Sequence, residues 1–343
     1  MELNERTSTS KESVQNANWK RKFFISKVHN ELKEKLQESL MWMDWERIVH
    51  PDSRIFVKPN LTFPSYKPGV TVSPEFLETL IGTLKTRCNR IIVGETDGGY
   101  YTWKAGEAFQ GHRLDEICKK YDVELVNLSE VEAERVVLDL SSEKVEIPLP
   151  ALLLHEVDTF VTVPVPKVHA MTGVSLGLKN QWGCIADPMR LRYHHLFNKM
   201  IVAINKLLRP AMVIADATYM LDINGPMFGE PVRMDLIMAG NDIGSFDLTT
   251  CMIMGIDPRK ISHLMWARRE GLLPASVDEV SINTDLDWFY RKFHLKRTAQ
   301  NWMAFLAFNS HFLTRLVYDS PTAGPIHTLL YAIRGKPTER SAY

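Results

Sequence analysis

Only four cysteines occur in the chain, Cys88, Cys118, Cys184 and Cys251, and no two of them stand close enough to form a C-x-x-C pair. That spacing argues against a zinc ribbon or an iron–sulfur cluster with local ligands and suits reduced thiols in a cytoplasmic protein. Neither sign of charge is in excess, with Lys+Arg and Asp+Glu both at 41. No global field draws the chain to nucleic acid or to an anionic membrane, so recognition driven by charge has to be local. No apolar run approaches the ~18 residues of a spanning helix, and the first twenty residues are polar, without the apolar core of a secretory signal. A flexible tail is expected over 1–20, with no transmembrane segment and no nucleic-acid partner.

What is present is the ordinary material of a globular protein, 45% hydrophobic and 24% charged over 343 residues, enough for one large domain or two moderate ones. From Trp19 to about Trp45 apolar residues recur at helical spacing. Arg54 to Val57 is a short apolar strand, and Ser73-Pro74-Glu75 supplies an N-cap, a first-turn proline and an early acid for a helix through Lys85. The cycle repeats with a strand at Arg90 to Val93, a helix from Trp103 to Tyr121 and a strand at Val123 to Val126. Arg135 to Leu140 and Lys144 to Ile147, split by Ser141-Ser142-Glu143, read as an antiparallel hairpin. Asp158 to Val163 is a continuous apolar run of the central-strand kind. Ala211 to Ala215 and Met234 to Ala239 add strands, and Ser245 to Met254 and Pro258 to Glu270 add helices. Alternation of this kind predicts an α/β fold, mainly parallel in its sheet and two-lobed. Its α/β domain is expected over 21–285, with a helical C-terminal extension over 286–343. Within that extension Trp288, Phe289, Tyr290, Phe293, Trp302, Phe305, Phe308, Phe312 and Tyr318 alternate with Arg and Lys, a stripe suited to the core, to a second copy in a homodimer, to a protein partner or to a membrane surface.

The segment from Val161 to Gly183 starts as a buried strand and then packs two lysines, a histidine, an asparagine and three glycines into one stretch. Glycines let the backbone approach a ligand, and consecutive N–H groups make a concavity for an anion. Ligands of open α/β sheets bind at the carboxyl edge of the strands. Lys179 is the candidate nucleophile or fixed cation, and His169 the candidate general base. Lys58, Asn60, Lys167, Gly173, Ser175, Gly177 and Asn180 are candidate binders of a small carboxylate or phosphate. Glu95, Asp97, Asp216, Asp242 and Asp247 fall at or after strand ends, where converging carboxylates hold a divalent metal or do acid–base work; helix capping is the competing reading, most directly for Asp242. His195 joins them as a candidate metal ligand. Gly173-x-x-x-Gly177-x-Lys179 is not a Walker A loop, and Gly94 to Gly99 does not give G-x-G-x-x-G.

Val57-Lys58-Pro59-Asn60-Leu61, Pro166-Lys167-Val168-His169, Thr172 to Asn180, Asn224-Gly225-Pro226 and Ala239-Gly240-Asn241-Asp242 together resemble the domain-of-unknown-function family 362, over about Arg54 to Gly271. Members of that family often carry a ferredoxin-like cysteine cluster, for which this chain has no cysteines. The segment His169-x-x-Thr172-Gly173-x-Ser175-x-Gly177-x-Lys179 is also similar to the H-x-x-A-G-x-S-G-G-x-K run of nickel-pincer lactate racemases. There the lysine holds the pincer nucleotide covalently, histidines transfer protons, and a further histidine downstream, where His194 and His195 stand here, ligates nickel. Leu176 replaces the first glycine of the G-G pair, and the racemases' Asp-x-Thr-Arg motif is represented by Asn60-Leu61-Thr62-Phe63. The resemblance implies shared ancestry and a shared pocket position; the cations, imidazole and carboxylates at several strand ends point to an enzyme acting on a small anionic metabolite by lysine/histidine or metal-assisted chemistry, isomerase-type proton transfer being its sharpest form. The alternatives are a non-catalytic cofactor-binding or accessory protein and a redox-associated protein without its own cluster.

Overall fold

The structure, a computed structural model, describes residues 20–334 apart from residue 142. The tail expected over 1–20 therefore lies outside the described residues but for Lys20. Among the described residues twelve strands are found, in chain order β1 (Arg21–Lys27), β2 (Arg54–Pro59), β3 (Arg90–Glu95), β4 (Glu124–Asn127), β5 (Ala133–Asp139), β6 (Lys144–Pro150), β7 (Thr159–Val163), β8 (Lys167–His169), β9 (Gly173–Ser175), β10 (Met212–Asp222), β11 (Glu230–Gly240) and β12 (Val280–Ile282). The main sheet runs β12-β1-β11-β10-β7-β2-β3-β4, with β8 paired to β10 and to β9, while β5 and β6 form the expected hairpin as a separate sheet. From β10 to β4 every neighbour is parallel, so the carboxyl ends of β2, β3 and β7 lie along one edge.

Alternation along the strands places apolar side chains on both faces of the sheet. Phe56 of β2 joins a core with Phe23, Ile25, Ile92 and Phe160, while its neighbours Ile55 and Val57 face a second core with Phe24, Ile91 and Val93. The helices Leu32–Trp42 and Pro74–Leu84 cover the second core. Phe197–Leu208 and Ile243–Ile253 cover the first. The α/β fold with a mostly parallel sheet and helices at the C-terminus is thus as expected from sequence.

Two local expectations are corrected, at Arg21–Lys27 and at Trp103 to Tyr121, and one pairing is added. Arg21–Lys27 is a strand and not the start of a helix, because Phe23, Phe24 and Ile25 are consecutive and all buried; only a strand between two cores buries adjacent residues on opposite sides. The strands β10 and β11 pair antiparallel over most of their length, Val213 opposite Gly240 and Asp222 opposite Glu230. The expected helix from Trp103 to Tyr121 is two, Ala105–Gly111 and Leu114–Lys120, separated by Arg113 at φ 56°. Within the extension, residues up to Thr298 are largely non-helical and tie back to the sheet through a Leu295–Ile223 bridge and the His294 amide, which donates to Asp222 Oδ1 at 2.6 Å. The helices Ala299–Asn309, His311–Tyr318 and Ala323–Arg334 follow, packed on the turns around His194 and Tyr100: Phe308 lies 4.2 Å from the His194 ring and Tyr318 lies 5.8 Å from Tyr100.

Candidate functional site

The parallel register brings the strand-end residues together. Lys58 stands opposite Thr162, one residue before β2 ends, and Glu95 closes β3 beside it. Their side chains are 1% and 8% exposed and meet with Lys58 Nζ donating to Glu95 Oε2 at 2.6 Å. The amides of Leu61 and Thr96 complete the carboxylate's hydrogen bonds. Gly183 presses on this pair: a Cβ there would sit 2.9 Å from Glu95 Oε1 and 3.0 Å from Lys58 Nζ, which is why the run ends in glycine at that point.

Lys167 is differently placed. It is fully buried and donates only to neutral acceptors, Asn60 Oδ1 at 2.7 Å and the Val70 carbonyl, with no ion pair among the described residues. Asn60 in turn accepts from Thr62 and donates to Asn180 Oδ1, and Asn180 donates to the Lys58 carbonyl and to Thr162 Oγ1, both at 2.9 Å. Ser175 stands opposite Lys167 across the β8–β9 ladder. Burial, and then the Lys179 charge, push the Lys167 amine well below the usual lysine range.

Lys179 is partly buried, with Nζ 5.3 Å from the centre of the Phe197 ring and no hydrogen bond or ion pair to a described residue. Its pKa falls to about 7, first through burial and then through Arg190 and Lys58. Arg190 is itself buried and donates to the Asp97 carbonyl at 2.9 Å. Four cations therefore share one neighbourhood, in which Glu95 pairs with Lys58 while the carboxylates of Glu95, Asp187 and Asp97 act on Arg190.

Three imidazoles surround the same amine. His169 Nδ1 accepts from the amides of Met171 and Thr172 at 3.1 and 3.3 Å, which assigns its proton to Nε2. Burial, then Lys179 and Lys167, hold it well below the ordinary histidine range. His263, on the helix Ser262–Arg269, is fully buried with neither ring nitrogen hydrogen-bonded among the described residues; burial and Lys179 take it to about 3. His194 has Nδ1 bonded to the Leu191 carbonyl at 2.8 Å and is also held near 3, mainly by burial.

The remaining candidates serve elsewhere. Asp247 reaches the glycine turn, accepting from the Gly177 amide at 2.7 Å and the Leu178 amide at 3.1 Å. The concavity of free amides expected around Gly173 and Gly177 is thus filled by the protein's own carboxyl. Gly173, at φ 82°, shapes the approach to it. Burial lifts Asp247 to about 8 against the pull of those two amides, so at neutral pH it is mostly an uncharged acid. Asp247→Ala is expected to cost about 1–3 kcal/mol for each amide left unpaired. Asp247→Asn keeps one accepting oxygen but turns an NH2 donor toward the second amide, so it is expected to recover at most one of the two hydrogen bonds; denaturant unfolding of the two variants measures the difference.

Asp97 accepts from the Ala105 amide and Asn127 Nδ2. Asp216 accepts from the Ser73 amide and hydroxyl at 2.9 and 2.7 Å, and Asp242 caps Ile243–Ile253 through the Ser245 amide. His195 turns toward the extension and stacks on His311 at 4.5 Å. Among the described residues no three of His, Cys, Asp and Glu converge to hold a metal ion, so the metal set of Glu95, Asp97, Asp216, Asp242, Asp247 and His195 is not assembled in one place. A cavity of about 300 Å³ between the hairpin and the helix Phe197–Leu208, lined by Val136, Leu138, Val202 and Trp266, includes none of the clustered cations or histidines.

The three lysines and His169 were legible from the polar residues that follow apolar strands. Arg190 and His263 were not: the first follows an irregular loop, and the second lies on a helix whose pattern says only that one face is buried.

Residues 55–252 match the family described as domain of unknown function (DUF362). A thylakoid-associated protein of Synechocystis sp. (strain ATCC 27184 / PCC 6803 / Kazusa) is 25% identical over 240 residues, 67% of this chain and 72% of the relative. Among solved structures, the lactate racemase apoprotein from Thermoanaerobacterium thermosaccharolyticum aligns over 68% of this chain and 57% of its own, at 13% identity and a TM-score of 0.42. A protein from Thermotoga maritima aligns over 59% of this chain and 53% of its own, at 16% identity and a TM-score of 0.36.

Proposed function

This chain belongs to the DUF362 family, whose name assigns no chemistry, and from the geometry of the site we propose that it is an enzyme acting on a small anionic metabolite, a carboxylate or a phosphate, by acid–base chemistry at Lys179. The observation that carries this reading is the pair of ammonium groups, Lys167 fully buried and Lys179 partly so, without carboxylate partners among the described residues. Burying a cation without a counter-charge costs several kcal/mol, and an anionic ligand between them offsets that cost. Lys58, tied to Glu95, and Arg190 extend the positive wall.

An amine with a pKa near 7 is divided between its two forms at neutral pH, the condition for taking and returning a proton efficiently. In the reading favoured here Lys167 fixes the anionic end of the substrate, with Asn60 holding its Nζ. The Lys179 amine removes a proton next to a carbonyl or carboxylate. The Nε2–H of His169 donates to the oxygen on which charge develops, the neutral imidazole being kept so by its surroundings. A metal held in the manner implied by the racemase resemblance does not fit these residues: His195 stacks on His311, and His194 is hydrogen-bonded to Leu191 and packed against Phe197 and Phe308. The four cysteines, all buried and free, support a cytoplasmic setting.

The test is solvent deuterium incorporation, followed by proton NMR, across a panel of small hydroxy acids, keto acids and phosphate esters. Exchange at a carbon next to a carboxyl or carbonyl, lost at least about a hundredfold in Lys179→Ala, supports the reading. Tight binding of the same compounds with no exchange in the unaltered protein would identify a binding protein instead.

A further inference from the structure

The C-terminal helices are turned inside out for a water-facing surface. In the helix His311–Tyr318 the polar Thr314 is buried at 1% exposure and donates through Oγ1 to the Ala307 carbonyl at 3.0 Å, while Phe312 on the opposite side is 74% exposed. Leu313 and Leu316 lie outward beside it. On the preceding helix Trp302 and Leu306, one turn apart, are both exposed, and on the following helix Leu329 is 62% exposed. Outward aromatic and aliphatic side chains on three consecutive helices cost stability in water and need a non-aqueous neighbour.

The charge of the same segment says which neighbour. Between Asp287 and Asp319 there is no acidic residue, whereas Arg291, Lys292, Lys296, Arg297 and Arg315 contribute five positive charges to a chain whose net charge is zero. Arg297 lays its guanidinium 5.3 Å from the Trp302 ring and 4.8 Å from Phe305, and Arg315 stands one turn from Phe312. Aromatic and leucine side chains edged by arginine and lysine, with no acids among them, match the interface of an anionic bilayer, where ring bodies enter the headgroup boundary and cations meet lipid phosphates. No helix among the described residues is long and apolar enough to cross a membrane, so contact by these helices is with a surface. We propose that the face built by Trp302, Leu306, Phe312, Arg315 and Leu316 docks the protein on an anionic lipid surface.

The full chain is to be sedimented with vesicles of phosphatidylcholine alone and of phosphatidylcholine mixed equally with phosphatidylglycerol, at low and high salt. Binding is expected only to the anionic vesicles and is expected to weaken with salt. Removing two cations in Lys296→Gln/Arg315→Gln is expected to lower partitioning about 30-fold, from ~1 kcal/mol per cation near an anionic surface. Trp302→Glu/Phe312→Glu, confined to exposed side chains, is expected to abolish it with the thermal melt retained. Equal binding to both vesicle types, no binding to either, or a dimer in light scattering that the apolar double variant converts to monomer would each overturn the proposal, the last by showing that a second copy covers the face.

Discussion

Lys179→Met is expected to stabilise the protein while destroying its activity. The amine titrates near 7 in the folded chain against an ordinary 10.5, so from pH 7 to 10.5 the unfolded state holds more protons and stability rises with pH. The cost of holding the charged amine is fully present below pH 7 and relieved above about 10.5. Discounted for the partial exposure of Lys179, it amounts to about 2–4 kcal/mol. A methionine fills the same space without the charge. The variant should therefore outlast the unaltered protein in denaturant at pH 7, and the gap should close as the pH approaches 10.5. A stability cost carried by one residue is the signature of a site held for function; a variant less stable at every pH would place that lysine in a merely structural role.

The Lys58–Glu95 pair is expected to behave in the opposite sense. Either Lys58→Met or Glu95→Gln alone strands a buried charge and is expected to cost about 3–5 kcal/mol. The double variant removes both charges and should recover most of that loss, the coupling between the two positions appearing directly in a double-mutant cycle. Lys58→Met also takes away one of the charges that depress Lys179, so its residual activity should have a pH optimum displaced upward. Additive losses in the double variant would show that the two side chains act independently of one another.

Much of this arrangement was legible because strand ends in a parallel sheet share an edge. Lys58, Glu95 and Lys167 each follow an apolar run, and parallel pairing alone brings such residues together. The antiparallel pairing of β10 with β11 was not legible, since the apolar runs at Ala211 to Ala215 and Met234 to Ala239 stand far apart and the Asn224-Gly225 turn lies well away from both, although the strands themselves extend to it. Asp247 shows the limit for side chains. Its position on a helix says nothing of its reach back to the Gly177 and Leu178 amides, a contact made across 70 residues of sequence. His263 and Arg190 join the site by the same kind of long-range packing, which leaves no local pattern. The strand at Arg21–Lys27 was hidden for another reason: lysines and glutamates at helical spacing further along dominated the window that contains it.

The proposed chemistry needs the Lys179 amine poised near neutrality among other cations. Reductive methylation of the lysines with 13C-formaldehyde, followed by NMR titration, tests it most directly. One resonance titrating near pH 7 is expected, missing in Lys179→Met and moved to higher pH when a bound small anion supplies the counter-charge. Loss from the Lys179→Met spectrum of a resonance that titrates above pH 10, with none near neutrality in the unaltered protein, would contradict it.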